Sequence, residues 1–265
     1  MAEITETQAI TRLAAAGASI NPTVIDGGEP FTIDGLGNVV GLGDYLAEPL
    51  RITESRVFTS IESFISYVKK FKTDGSAIFA SIKNDTLVAE IDSNLPGKPS
   101  RNTHNATLKL EKTLAAAAWI THNDKRMRQA DFAEFIETNA SDIADPASSI
   151  MIEVAHHMSA SKGATFESKV NLENGSFVFK HTEEVKAMRK DGTTEVPATF
   201  KLGFTVYRGS TQPFEIEAKL RYRIENGQLL LWYSIPKLDR LLEMAFKDVV
   251  DQVNKATEIE ILHGA

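Results

Sequence analysis

The chain has 265 residues, 42% of them hydrophobic, which is enough apolar material for one large domain or two ordinary ones without a metal or disulfide to rescue stability. It contains no cysteine, and this excludes a disulfide framework, a thiolate nucleophile, a thiolate-held iron–sulfur cluster and cysteine-based zinc sites. Its 29 basic and 36 acidic residues give a formal charge of -7, spread along the chain, which favours solubility and opposes general attraction to a phosphate backbone but leaves room for a local basic patch.

The opening stretch MAEITETQAITRLAAAG carries acids where a signal peptide needs basic residues and lacks an adequate apolar run. Nothing later approaches the roughly 20 apolar residues of a membrane-spanning helix. A cytoplasmic location with no membrane partner is therefore expected. Residues 3 to 16 read as a short helix with Ile4, Ile10 and Leu13 on one side, stopped at Gly17. From Ser19 to about Gly43 the chain is loop-like, yet Phe31, Ile33, Leu36, Val39 and Val40 argue for an arm packed on its own core or on a neighbouring subunit. Residues 1–58 thus read as an N-terminal helix and loop-rich arm, and 59–265 as an α+β domain that would divide, if anywhere, near 112–160.

Thr59 and Glu62 have capping-box spacing, and Ile61, Phe64, Ile65, Val68 and Phe71 recur at helical intervals, which predicts a helix over about 60–72. Ala77–Ile82 and Thr86–Ile91, either side of Lys83-Asn84-Asp85, suit a hairpin, and Ala106–Leu110 a third strand. Three helical segments follow, at about 112–122, 129–138 and 146–160. The run Ala115 to Ala118 in the first suits a close packing face, and Asp145-Pro146 reads as N-cap and first residue of the last.

The second half predicts an antiparallel meander over 165–235. Phe166, Ser168, Val170 and Leu172 alternate with Glu167, Lys169 and Asn171, and a two-residue turn at Asn174-Gly175 would set Leu172 opposite Phe177 and Val170 opposite Phe179. Asp191-Gly192 is a second such turn, leading to a strand with Phe200, Leu202, Phe204 and Val206 on one face. Asn226-Gly227 joins strands over about 213–225 and 228–235, placing Ala218, Leu220, Tyr222 and Ile224 opposite Ile235, Tyr233, Leu231 and Leu229 on the core face. After Pro236, residues Leu238, Leu241, Leu242, Ala245, Phe246, Val249, Val250 and Val253 form one helical stripe over about 237–255, which must be buried.

The same register leaves Lys219, Arg221 and Arg223 on the outer face beside Ser234, Trp232 and Leu230, with Arg221 across from Trp232. A cation beside an indole is one way to hold a base or another flat anionic ligand. The plainer alternative is an outer sheet face covered by arginine stems or by a subunit contact. Glu153, His156 and His157 have Glu-x-x-His spacing on a helix, but no second such motif exists to complete a carboxylate di-metal site. His104, His122, His181 and His263 show no ligand spacing. Glu167-Ser168-Lys169 and Glu217-Ala218-Lys219 both read Glu-x-Lys, the tail of a metal-dependent nuclease site, with Asp142 or Asp145 as a preceding acid for the first; on an alternating polar face that tripeptide arises easily by chance. Gly35 to Gly41 lacks the spacing of a dinucleotide fingerprint, and neither a phosphate loop nor a nucleophile elbow is present. No catalytic, cofactor-binding or metal residue is assigned.

The segments SFISYVKKF, LVAEID, HNATLKL, MRQADFAEFIETNASDI, VNLENGSFVF and AKLRYRIENGQLLLWYSI, in that order, resemble an uncharacterised family of phage and prophage proteins typified by the prophage protein YfdQ, over about residues 55–250. The resemblance implies an early, non-virion phage protein and brings no activity or catalytic motif. The expectation is a non-enzymatic accessory protein in the cytoplasm of the bacterial host, acting as a homo-oligomer and meeting a host or phage protein. A single-strand-binding factor of phage recombination or replication is the alternative, and a metal-dependent nuclease the third.

Overall fold

Apolar alternation along the strands meets buried faces in the computed structural model, which describes residues 30–33, 38–42, 46–49, 51–158, 169–170, 177–178, 195–225 and 228–264. These residues divide after Ser55 into two units. In the first, β1 (Phe31–Ile33) and β2 (Val39–Gly41) pair antiparallel, with Thr32 facing Val40. The predicted helix over 3–16 lies outside the described residues.

The second unit is an α+β fold. Its first elements are β3 (Glu54–Phe58), whose first two residues precede the division, α1 (Ile61–Phe71), the hairpin of β4 (Ala77–Ser81) and β5 (Thr86–Glu90), and β6 (His104–Lys109). Helix α1 starts one residue later than the capping-box spacing suggests. Ser60 is the cap, its hydroxyl accepting from the Ser63 N–H at 3.2 Å, so Glu62 sits in the first turn near the positive helix end and closes no box with Thr59. Between β4 and β5 the chain makes one 3-10 turn at Ile82–Asn84 and leaves through Asp85 in the left-handed region, φ 50°. The third strand begins two residues earlier than predicted, at His104, because alternation already holds there: His104, Ala106 and Leu108 are buried and Asn105, Thr107 and Lys109 are not.

Next come α2 (Leu114–His122), β7 (Met127–Arg128), α3 (Gln129–Thr138), β8 (Ile143–Asp145) and α4 (Ser148–His157). In the alanine run only Ala116 is fully buried. Asp145-Pro146 does not cap α4: Asp145 is used as a strand residue beside Lys201, the Asp145–Pro146 peptide is cis, and Ala147 stands at the cap without a side-chain hydrogen bond.

In the C-terminal half, β9 (Lys169–Val170), β10 (Phe177–Val178) and β11 (Glu195–Val196) form a small antiparallel sheet, followed by β12 (Thr199–Phe204), β13 (Phe214–Glu225) and β14 (Gln228–Ser234), helix α5 (Leu238–Thr257) and β15 (Ile261–His263). Two expectations change here. Val170 faces Phe177 rather than Phe179, a register two residues from the expected one. The described strands of 165–235 are also divided between two sheets, so they are not one continuous meander. The Asn174-Gly175, Asp191-Gly192 and Asn226-Gly227 turns themselves lie outside the described residues.

Two five-stranded sheets carry the fold, ordered β15-β4-β5-β6-β3 and β7-β14-β13-β12-β8. The first buries Ile78, Ala80, Leu87, Ala89, Ala106 and Leu108, the face on which α1 lays Ile61, Phe64 and Val68. Helix α5 packs against α1 and buries Ala245, Phe246, Val249 and Val253, while Leu238, Leu241 and Leu242 at its start are only partly buried. Beyond α5 the chain supplies an unforeseen strand: β15 runs parallel to β4, with Ile261 beside Ile78. The second sheet buries Phe200, Leu202, Ala218, Leu220, Leu231 and Tyr233, where Trp119 of α2 meets Tyr233 at a ring separation of 5.0 Å and Phe200 at 6.0 Å. Asp85 joins the two parts of the chain: it accepts from the Tyr207 hydroxyl at 2.6 Å and pairs with Lys112 at 2.7 Å. Burial, and then the hydrogen bond to Asp85, push the Tyr207 phenol far above its ordinary range.

Candidate binding face on the second sheet

The β13–β14 register is the one the sequence predicts. Lys219 faces Ser234, Arg221 faces Trp232, Arg223 faces Leu230 and Ile224 faces Leu229. Strand alternation then sends Leu220 and Leu231 into the core and Arg221 and Arg223 to solvent. On this outer face Lys219, Leu230 and Trp232 are half-buried, and Arg221 and Arg223 are exposed. The five predicted residues therefore do share one face.

Two further cations join them from an element too short to read by periodicity. Strand β7 pairs with β14, Met127 with Leu231 on the core side and Arg128 with Leu230 on the outer side. One residue before β7, Arg126 places its guanidinium over the Trp232 ring, 5.3 Å from the centroid, within the range of a cation–π contact. Arg126, not the cross-strand Arg221, is thus the cation seated over the indole among the described residues. Arg126 Nη1 also donates to Glu225 Oε1 at 2.9 Å, and Arg223 Nε lies 3.2 Å from the same oxygen. Arg128 pairs with Asp131 at 3.0 Å. The face thereby gathers Arg126, Arg128, Lys219, Arg221 and Arg223 around one indole, with Glu225 and Asp131 as local counter-charges.

The other end of the same sheet is balanced by acids. Lys201 donates to Glu215 at 2.7 Å; this hydrogen bond and the Glu215 charge raise the Lys201 pKa, with smaller contributions from Asp145 and Glu217. Glu217 and Lys219 of the Glu-x-Lys sequence both lie on this outer side, flanking buried Ala218. A lysine already sits among these carboxylates. Of the other Glu-x-Lys sequence, Glu167 and Ser168 lie outside the described residues. Asp142 accepts from the Trp119 indole N–H at 2.9 Å, a structural use.

The histidines go to separate places. His156 Nε2 turns to Glu137 of α3 at 2.7 Å, and Glu153 is exposed. His104 is buried, 2.8 Å from the Tyr67 hydroxyl; His122 Nδ1 lies 2.9 Å from the Ala118 carbonyl, which makes that nitrogen the donor. Exposed His263 ends β15. His181, the side chain of His157 and residues 35–37 lie outside the described residues. Among the described residues no three of His, Asp and Glu come together as a metal-holding group, and no helix is long and apolar enough to cross a membrane.

Residues 5–265 match the model of a family described as an uncharacterized conserved protein (DUF2303), and the chain belongs to that family. No curated protein and no solved structure matches it.

Proposed function

We propose that this member of the family is a phage- or prophage-encoded accessory protein that works by binding in the cytoplasm of its bacterial host, and that the outer face of its second sheet takes single-stranded nucleic acid. One observation carries the ligand class: half-buried Trp232 stands among exposed Arg221 and Arg223, half-buried Lys219, Arg128 of β7 and Arg126 just before it. An aromatic platform amid arginines and a lysine suits stacked bases with a phosphate chain alongside, and the order of segments that resembles phage proteins supports the source. The net charge of -7 opposes long-range attraction, so this binding is a local effect and strongest at low salt.

Self-association through the same face is disfavoured. A two-fold contact sets a patch against its own copy, and here it would set a patch with more cations than acids, five against Glu225 and Asp131, onto itself. Fluorescence anisotropy of a labelled oligothymidylate at low salt tests the reading. Wild-type chain is expected to bind, and Trp232→Ala to weaken binding by about 1 to 3 kcal/mol. Absence of binding at low salt overturns it.

Homo-oligomer formation keeps separate support from the first sheet. Leu262, 47% exposed, pairs with Phe79, which pairs with Val88, so an apolar row crosses that sheet's outer face. Light scattering on eluting protein decides it: a mass above one chain that falls to one chain in Leu262→Asp supports this surface, and a wild-type monomer removes it.

A further inference from the structure

We infer that Glu225 is an internal brake on the basic face, holding Arg126 and Arg223 on a carboxylate that a phosphate chain must displace. This rests on the nucleic-acid reading above and adds how the site is held before ligand arrives. Three distances carry it. Glu225 Oε1 is 2.9 Å from Arg126 Nη1 and 3.2 Å from Arg223 Nε, and the same Arg126 guanidinium lies 5.3 Å from the centre of the Trp232 ring. One carboxylate oxygen thus ties together the two cations nearest the strand end, and one of those cations lies on the indole that would stack a base.

The pairing is built to be broken. Arg126 and Arg223 are 47% and 60% exposed and Glu225 is 35% exposed, so each ion pair is shared with water and contributes little to stability. A phosphate group offers the two guanidiniums anionic oxygens in place of the single Glu225 oxygen they share, so exchange is cheap once the ligand is near. Arg221 and Lys219, for which the described residues show no ion-pair partner, make the first contact, and Arg126 and Arg223 follow by leaving Glu225. The brake sets affinity and not salt dependence: the two arginines reach phosphate with or without the carboxylate, so the steepness of log affinity against log salt, about 0.7 per phosphate neutralised on a single strand, is the same, while the ion pairs that must be broken weaken binding.

The experiment measures oligothymidylate binding by anisotropy across a salt series for wild type, Trp232→Ala, Glu225→Gln, Arg126→Ala/Arg223→Ala, and the triple combination of the last two. Glu225→Gln keeps the side-chain shape at a partly exposed strand end, and circular dichroism checks its fold. The expected result is three- to tenfold tighter binding than wild type at low salt with an unchanged salt slope, and loss of that gain in the Arg126→Ala/Arg223→Ala background. If Trp232→Ala weakens wild-type binding while Glu225→Gln leaves affinity unchanged, the brake is overturned and the binding face stands. If Glu225→Gln tightens binding equally with both arginines removed, Glu225 acts as a bulk charge and the brake is again overturned. No binding by either wild type or Glu225→Gln overturns both the brake and the reading beneath it.

Discussion

The two five-stranded sheets each bury one face of alternating apolar residues, but they obtain their strands in opposite ways. The second sheet takes its centre from consecutive strands, β12, β13 and β14, and only its edges, β7 and β8, from earlier in the chain. The first takes β4, β5 and β6 in succession, and then its edge β15 from the far end of the chain, parallel to β4 and reached across α5. Neighbour pairing within a meander is specified locally by alternation and turns, whereas a parallel edge strand needs a crossover whose helix is already in place. The outer faces differ as well: an apolar row of Leu262, Phe79 and Val88 on the first, a cationic cluster around Trp232 on the second. The first sheet should therefore be sensitive in its stability, and the second sheet's outer face in its binding.

The largest expected effect tests that division at α5. Phe246, 2% exposed, lies in the buried stripe of α5, the helix that packs against α1, and Phe246→Ala should cost about 3–5 kcal/mol in urea unfolding. Met244 lies on the same helix with 52% exposure, and Met244→Ala should change stability by no more than about 0.5 kcal/mol. Equal losses would mean that both sides of α5 are buried.

Two carboxylates of the first sheet's surroundings sharpen the comparison through pH, with opposite signs. Burial alone would raise the Asp92 pKa, but the His104 and Thr103 backbone N–H groups and the Ser100 hydroxyl together bring it below the ordinary value. Its stabilising contribution is present above the unfolded pKa of about 3.9 and is lost as pH falls through the lower folded value. Asp92→Asn should therefore be less stable than wild type at neutral pH, with the gap closing in acid. Asp248 on α5 is the reverse case: burial first, and then the Asp251 charge, raise its pKa, and its Oδ2 is buried without a hydrogen-bond partner among the described residues. Its contribution is present below about 3.9 and is lost as pH rises through the higher folded value. Asp248→Asn should then equal or exceed wild type at neutral pH and lose that advantage in acid. Thermal unfolding at a series of pH values reads both, and curves of the same sign would refute the contrast.

The smallest expected stability change is on the second sheet's outer face. Arg221 is exposed, and Arg221→Ala should leave stability within about 0.5 kcal/mol while weakening oligothymidylate binding and flattening its salt dependence by about 0.7. A large loss of stability would make Arg221 a structural residue and take it out of the proposed site.

The sequence by itself determined what period and local chemistry control. Apolar residues three and four apart placed α1 and α5. The two-residue period of β13 and β14, hinged at Asn226-Gly227, specified every facing pair from Lys219–Ser234 to Ile224–Leu229, and with them the face that carries Arg221 and Trp232. A period of two also explains the miss at Val170, because a slip of two residues preserves the pattern and leaves nothing in the sequence to reject it. Tertiary structure decided the features whose partners are distant. Asp145 reads as a helix cap until β12 offers it a strand to join. Three residues at Ile261–His263 are too few to show alternation, and they become a strand only because α5 returns the chain beside β4. Met127–Arg128 is shorter still, and its pairing with β14 alone brings Arg126 over Trp232 and within reach of Glu225. Periodicity carries no information about contacts between segments about a hundred residues apart, and in the binding face those contacts set which cation meets the indole.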